Sequence, residues 1–386
     1  MSNRVFFEAL YAINPNDKSI ELVTRPCIEI DGGVIAGFSP GCPPGARKLP
    51  VVILPGLCNA HLHLLDYAIA ETGEDRRLED LVELPRGLKY SLLSRLSPDT
   101  LEERLSIAAT NIRNRGTLFL GVYAELGQVG AGLVARVTDK HGLSLRVLAQ
   151  PNKKVYTEYR ELLEKYGGVG LDTVFDLALP ELVELVQLAH RVYGYVHVHV
   201  SETRELYEKE DYKVALEAKP HAVVHLTMLS DDELMQVARE GIGIIFCPRS
   251  NMYHTGRLPR LDLLPALVAE TNVALGTDNA AWIPPFVVEE ASYAYLSVHP
   301  VSRSKARELA EALLLSITSS CVRLLGLWSK EYNSLAMGAS LALIPELSWS
   351  NDPVTTIVKR MQSYKVLGVP PGEATRVIRE LLGEKI

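Results

Sequence analysis

From residue 51 onward the chain alternates short apolar runs with amphipathic helical stretches, and this rhythm restricts its fold more than any other feature. Residues 51–54, 116–124, 144–149, 195–200, 222–225, 242–247 and 273–276 read as strands, and a weaker one near 169–175 makes eight. The intervening stretches carry helix signals. Ser97-Pro98-Asp99 offers a cap with Pro at the first helical position, and residues 180–193 show helical periodicity that stops at Gly194. Ser230-Asp-Asp-Glu233 is a capping box, and 302–325 is mostly helical. Strands that are each followed by a helix pair in parallel through right-handed crossovers. Eight such units predict an α/β fold, a (β/α)₈ TIM barrel.

The two ends differ from this middle. Residues 1–50 are short apolar runs broken by Asn14-Pro-Asn-Asp17, Asp31-Gly-Gly33 and Gly41-Cys-Pro-Pro-Gly45. After about residue 335 the helical pattern gives way to 341–344 and Pro-punctuated segments. The expectation is a small β-rich domain formed by both termini, 1–52 with 335–386, around a barrel at 53–334. A chain of 386 residues accommodates a barrel of about 250 plus such a unit.

Lys plus Arg minus Asp plus Glu is 40 − 47 = −7, so no basic surface calls for nucleic acid or anionic lipid. The first ten residues, interrupted by Glu8, lack a signal peptide's apolar region, and no run of about 18 apolar residues could span a bilayer. Five scattered cysteines (27, 42, 58, 247, 321) without a Cys-x-x-Cys pair argue against a disulfide framework and suit a reducing cytoplasm. The expected partner is therefore a small-molecule substrate, with no nucleic acid and no membrane, and a homodimer as candidate assembly.

Chemistry gathers at the ends of the predicted strands. In Asn59-Ala-His61-Leu-His63 two imidazoles at i and i+2 point the same way and can grip one cation. In His197-Val-His199-Val-Ser-Glu202, positions 197 and 199 share a face; His199 belongs at the rim and His197 roughly 7 Å deeper. His225 ends one apolar run and Asp278 follows another. Singly, each has an ordinary reading as a polar strand-end residue or helix cap. Together they converge only in a barrel, whose catalytic face is the C-terminal one. Three imidazoles and a carboxylate suit Zn²⁺ or Fe²⁺ rather than Mg²⁺ or Ca²⁺.

The ordered set Leu54-Pro-Gly-Leu-Cys-Asn-Ala-His-Leu-His63, His199-Val-Ser-Glu-Thr203, Cys247-Pro-Arg-Ser-Asn251 and Leu275-Gly-Thr-Asp278 resembles the amidohydrolase superfamily. It is most similar to the branch of cytosine, guanine and S-adenosylhomocysteine deaminases and triazine chlorohydrolases. The resemblance implies one divalent metal ion, Zn²⁺ first and Fe²⁺ as the alternative, held by His61, His63, His199 and Asp278. It makes Glu202 a proton shuttle and His225 and Asp278 partners of the attacking water; His197, by its depth on the strand, is read as a histidine of the core or behind the ligands. Two-metal relatives use a carboxylated Lys on the fourth strand; Lys153 and Lys154 instead follow the third.

The chain departs from that branch at Leu65-Asp-Tyr-Ala-Ile-Ala-Glu-Thr-Gly73, at Leu84-Pro-Arg-Gly-Leu-Lys89 and at Glu125-Leu-Gly127, where it resembles an archaeal subgroup. Residues 64–96 are a candidate lid. Arg249, Asn251, His254 and Trp282 follow late strands and are candidate substrate contacts, Arg249 and Asn251 being equally readable as loop-stabilising. His141 and His190 read as structural, His299 is undecided, and Cys58 and Cys247 are placed near the rim as small buried residues. The implied reaction is hydrolytic deamination of an aminoheterocycle. The alternatives are a cyclic amide or imidazolone-type ring opening, and a catalytically inactive binding protein.

Overall fold

The computed structural model describes residues 4–16, 18–83, 86–298 and 305–381. His299 and the first three residues of the helix expected at 302–325 lie outside them, as do Leu84 and Pro85.

Sixteen strands form two sheets among these residues. In chain order they are β1 (Val5–Pro15), β2 (Ile20–Thr24), β3 (Cys27–Asp31), β4 (Val34–Ser39), β5 (Arg47–Pro55), β6 (Leu57–His63), β7 (Thr117–Ala124), β8 (Ser144–Ala149), β9 (Gly168–Leu171), β10 (Tyr195–Val200), β11 (Ala222–His225), β12 (Gly243–Phe246), β13 (Val273–Leu275), β14 (Asp278–Asn279), β15 (Ala339–Ala342) and β16 (Val366–Val369). The first sheet runs β16-β15-β5-β1-β3-β4, with β2 on β1. It thus takes strands from both ends of the chain. Only its β1–β5 pair is parallel.

The second sheet runs β13-β12-β11-β10-β9-β8-β7-β6-β14 and is parallel throughout. It curls until one segment touches both edges: β13 pairs with β12, and β14, two residues further on, pairs with β6. The crossing residues bridge the same two strands, Gly276 N–H donating to Phe246 O (2.9 Å) and Thr277 N–H to His61 O (2.9 Å). A Cβ on Gly276 would fall 2.6 Å from His61 Cβ, so only glycine lets this segment pass so close to His61.

Strand β5 joins the two cores through its period of two. Val51 and Ile53 face a small core with Phe7, Ile28, Ile30 and Leu341, whereas Val52 and Leu54 face the large one. The helices outside the curled sheet follow their sequence signals. Pro98–Arg113 starts where Thr100 N–H donates to Ser97 Oγ (3.1 Å) and buries Leu101, Leu105, Ala108, Ala109 and Ile112 along one stripe. Asp231–Arg239 carries the expected capping box on Ser230 and Glu233.

Three expectations need correction. The run at 51–54, expected to open the barrel, belongs to β5 of the first sheet, and β6 (Leu57–His63) takes its place in the parallel sheet; the stretch at 302–325 is mostly helical as expected, as two helices, Ala306–Ser316 and Ser319–Leu324. The C-terminal segment is not wholly β-rich: helix Pro353–Arg360 buries Val354, Ile357 and Val358 in the large core, against the helices Val287–Val298 and Ala306–Ser316. And four of the five cysteines are paired, Cys27 with Cys42 and Cys58 with Cys321. Partners 15 and 263 residues apart are matched by strand register and sheet curl, which spacing along the chain does not disclose. Cys58 accordingly sits in the first half of β6, away from the rim; Cys247 is free and buried. No helix among the described residues is long and apolar enough to cross a membrane.

Candidate metal centre and active site

Strand β6 carries His61 and His63 on one face, and β10 delivers His199. Asp278 opens β14 at φ 65°, a left-handed conformation that costs a non-glycine residue on the order of 1–3 kcal/mol. Ser201 (φ 48°) and His225 (φ 78°) share this feature at the ends of β10 and β11. Backbone strain therefore collects where the strands end, on the face that holds the charged residues.

One ligand atom each from His61, His63, His199 and Asp278 lies within 4.8 Å of the others. His61 Nε2 is 3.1 Å from Asp278 Oδ1 and 3.2 Å from His199 Nε2, and His63 Nε2 is 3.5 Å from the same Oδ1. The far sides of two rings are tied. His199 Nδ1–H donates to Leu171 O (2.8 Å), and His63 Nδ1–H donates to Glu125 Oε1 (2.6 Å). A carbonyl can only accept, so the neutral His199 ring turns its Nε2 lone pair inward, and His63 does likewise. Converging lone pairs and a carboxylate oxygen fit a cation bound at about 2.0–2.2 Å by four N and O donors.

The three rings differ electrostatically: burial and Lys89 would lower His63, but Glu125 and Asp278 hold it above its ordinary range. Burial holds the His61 and His199 imidazoles below their ordinary range, hence neutral, as metal ligands must be. Burial alone would raise Asp278, but the His61 hydrogen bond and the surrounding imidazoles hold its carboxyl well below the usual range. Ser250 Oγ donates to its second oxygen, Oδ2.

Glu202 and His225 stand beside this cluster. His225 Nε2 is 3.7 Å from Glu202 Oε2, and Glu202, His225 and Asp278 form a second close group. Burial pushes His225 down to about 3, leaving it neutral. Burial also pushes the Glu202 carboxyl well up, with Asp278 and Glu79 adding to the shift. His197, fully buried, has no hydrogen-bond partner for either ring nitrogen among the described residues.

The four candidate substrate contacts divide. Arg249 is a structural tie instead: Nε donates to Glu290 Oε1 (2.6 Å), Nη2 to Pro284 O (2.7 Å), and Nη1 pairs with Glu289. Asn251 is buried and its amide lies 2.9 Å from His225 Nδ1, so it orients that ring. His254 packs edge-on to Trp282, with ring centroids 5.4 Å apart, and lines a cavity of about 470 Å³ beside Thr203. Trp282 Nε1–H donates to Thr72 O (2.9 Å), pinning the segment that follows His63.

That segment crosses the mouth of the sheet. It includes a 3₁₀ turn, Leu64–Ile69, and the helices Leu78–Val82 and Leu88–Leu93. Glu71 N–H donates to Ala281 O (2.8 Å), and Glu74 accepts from Tyr253. Beneath it the four cluster side chains are almost sealed, His199 being the most exposed at 7%. The segment also supplies Asp66 and Lys89, which meet Glu125 behind His63. Sequence reasoning missed this trio: Lys89 and Glu125 fall in stretches that depart from the resembled branch, but helical or strand period does not reveal which charges are buried. Burial would raise Glu125, yet Lys89 and His63 hold it down at about 2; Asp66 is pushed up to about 7, chiefly by burial.

The sequence pattern that defines the Amidohydrolase family matches residues 52–341, a span that contains every residue of the cluster. The chain belongs to the amidohydrolase family. It is therefore an enzyme, a hydrolase acting on carbon–nitrogen bonds. Among relatives, it is 25% identical to a putative aminohydrolase of Methanothermobacter thermautotrophicus, over 89% of this chain and 92% of that one. It is 28% identical to the 5-methylthioadenosine/S-adenosylhomocysteine deaminase of Moorella thermoacetica, over 85% and 81%. An adenosine deaminase from Xanthomonas campestris with bound zinc shares the fold at a TM-score of 0.72 and 17% identity, over 98% and 97%.

Proposed function

We propose that this amidohydrolase deaminates an aminoheterocycle, water replacing an amino group with release of ammonia. One divalent ion is held by His61, His63, His199 and Asp278, Zn²⁺ first and Fe²⁺ as the alternative. The observation that carries the reading is the convergence of those four donors beside the Glu202 carboxyl and the His225 ring. When bound, such an ion supplies the Lewis acidity that makes water a nucleophile near neutral pH.

The chain's own groups do the rest. His225, its ring fixed by Asn251, donates a hydrogen bond to the attacking oxygen. Asp278, its outer oxygen held by Ser250, aligns that oxygen with the electrophilic carbon. Glu202 carries the proton from water to the ring nitrogen or leaving amine. The sealed pocket keeps bulk water from competing, and His254 and Trp282 contact the substrate at the mouth. Deaminase-named relatives and the zinc in a protein of the same fold support the reading. The curled parallel sheet and the shared fold support a closed (β/α)₈ barrel, which we place at 53–334 with a terminal β-rich unit; a small molecule, and not nucleic acid or a membrane, is the partner we propose with it.

The test is ammonia release from adenosine, 5′-methylthioadenosine, S-adenosylhomocysteine, guanine and cytosine by the zinc-loaded protein. At least one should release ammonia, and Glu202→Gln should lower kcat by about 10²–10⁴ with zinc retained. Consumption of a cyclic amide without ammonia would favour ring opening. A Glu202→Gln enzyme as fast as wild type would remove the proton-carrier role.

A further inference from the structure

Behind His63 lies a buried ionic group that the hydrolytic steps do not use. Lys89 Nζ is 2.7 Å from Glu125 Oε1, 3.3 Å from Asp66 Oδ2 and 3.4 Å from His63 Nδ1. The same Glu125 oxygen accepts from His63 Nδ1–H. All four side chains are at most 5% exposed. Taking such charges out of water costs several kcal/mol per ion, and a buried pair is weak evidence for stability. Anchoring the mouth-crossing segment does not require it, because Leu65, Ala68, Leu81 and Leu93 already sit in the large core.

The geometry favours another use. Glu125 Oε1 fixes which His63 nitrogen carries the proton, and so aims Nε2 into the four-donor cluster. Lys89 holds that shared oxygen in place. Glu125 Oε2 and Asp66 Oδ1 have no hydrogen-bond partner among the described residues, so Lys89 ties Asp66 to Glu125 through their other oxygens and backs the contact of Glu125 with His63.

We infer that Lys89 and Glu125 are positioning residues for His63, and that Lys89 couples docking of the segment after His63 to cation binding at the cluster. Lys89 comes from the helix Leu88–Leu93 of that segment, and Asp66 from its first turn. The His63 orientation that suits a cation is therefore complete only when the segment is docked. By linkage, the cation favours the docked segment to the same extent. The inference rests on the metal reading of His61, His63, His199 and Asp278, and is independent of the substrate.

The experiment is a zinc competition titration against a chromophoric chelator on the full chain, for wild type, Lys89→Met and Glu125→Gln. Hydrogen exchange at residues 64–83 and 86–96 is followed with and without zinc. Both variants should remain folded by near-ultraviolet circular dichroism yet bind zinc about 10–100-fold more weakly. Zinc should slow exchange in those residues in wild type, and less so in Lys89→Met. A merely structural role would lower unfolding temperature and leave the zinc dissociation constants within twofold of wild type; that result, or exchange indifferent to zinc, overturns the inference. Should Lys89→Met fail to fold, the near-isosteric Glu125→Gln decides alone. A wild type that takes up no zinc would overturn the metal reading itself, and this inference with it.

Discussion

A histidine in this chain has its role set by what its second nitrogen meets. His199 and His63 turn one nitrogen inward because a carbonyl and a carboxylate hold the other. His221 shows the same physics without a metal: its Nδ1 accepts from Val196 N–H (3.2 Å), and burial beside His190 pushes it down to about 4. The unfolded chain, with its histidine near 6.5, takes up a proton first as pH falls. His221 therefore contributes stability that is present above pH 6.5 and lost as pH drops through 6.5 toward 4. Urea unfolding of His221→Gln should show a shallower loss across that window than wild type; an identical slope would contradict the assignment. At this scale the sequence was most readable where a strand's period fixed direction, as at His61, His63 and His199. It was least readable where a charge's partner lay far along the chain. Arg249 could be read equally as a substrate contact or as a loop tie, because Glu289 and Glu290, which hold it, come 40 and 41 residues later.

Strands explain why the cluster forms, and their ends explain where. Parallel pairing puts the last residues of β6, β10 and β11 and the first of β14 on one face, with left-handed residues at Ser201, His225 and Asp278. Apolar runs disclosed the later parallel strands to within a few residues, but the run at 51–54 belongs to β5 of the other sheet and β6, which carries His61 and His63, was not separated from it; the helix break at Ile317-Thr318 carried no Gly or Pro to mark it. Cross-links between elements were hidden for a related reason. Cys27 sits on β3 opposite Ser39 of β4, which brings the chain back with Cys42 close by; Cys58 of β6 meets Cys321 on the helix Ser319–Leu324. Alkylation of the denatured, unreduced protein should find one thiol, Cys247, and five after reduction. Five thiols before reduction would show that neither bridge forms. Removing the Cys58–Cys321 bridge should destabilise the fold by about 2–5 kcal/mol, since it closes most of the chain into one loop.

For the molecule as a whole, the βα rhythm announced a parallel α/β fold, and punctuated ends announced a sheet built from both termini. What rhythm could not announce is how the pieces close. A single segment, residues 273–279, reaches both edges of the curled sheet only because Gly276 admits His61. Helix Pro353–Arg360 leaves its terminal neighbours to pack on the central helices because its apolar stripe fits there. The same closure brings Asp278 to His61, and with it the centre on which the chemistry depends. Elemental analysis of the purified, zinc-reconstituted protein beside His199→Ala tests that centre most directly. Near one divalent ion per chain in wild type, and loss of most of it in the variant, is the predicted result. A wild type without stoichiometric metal, or a variant that keeps it, would contradict the account.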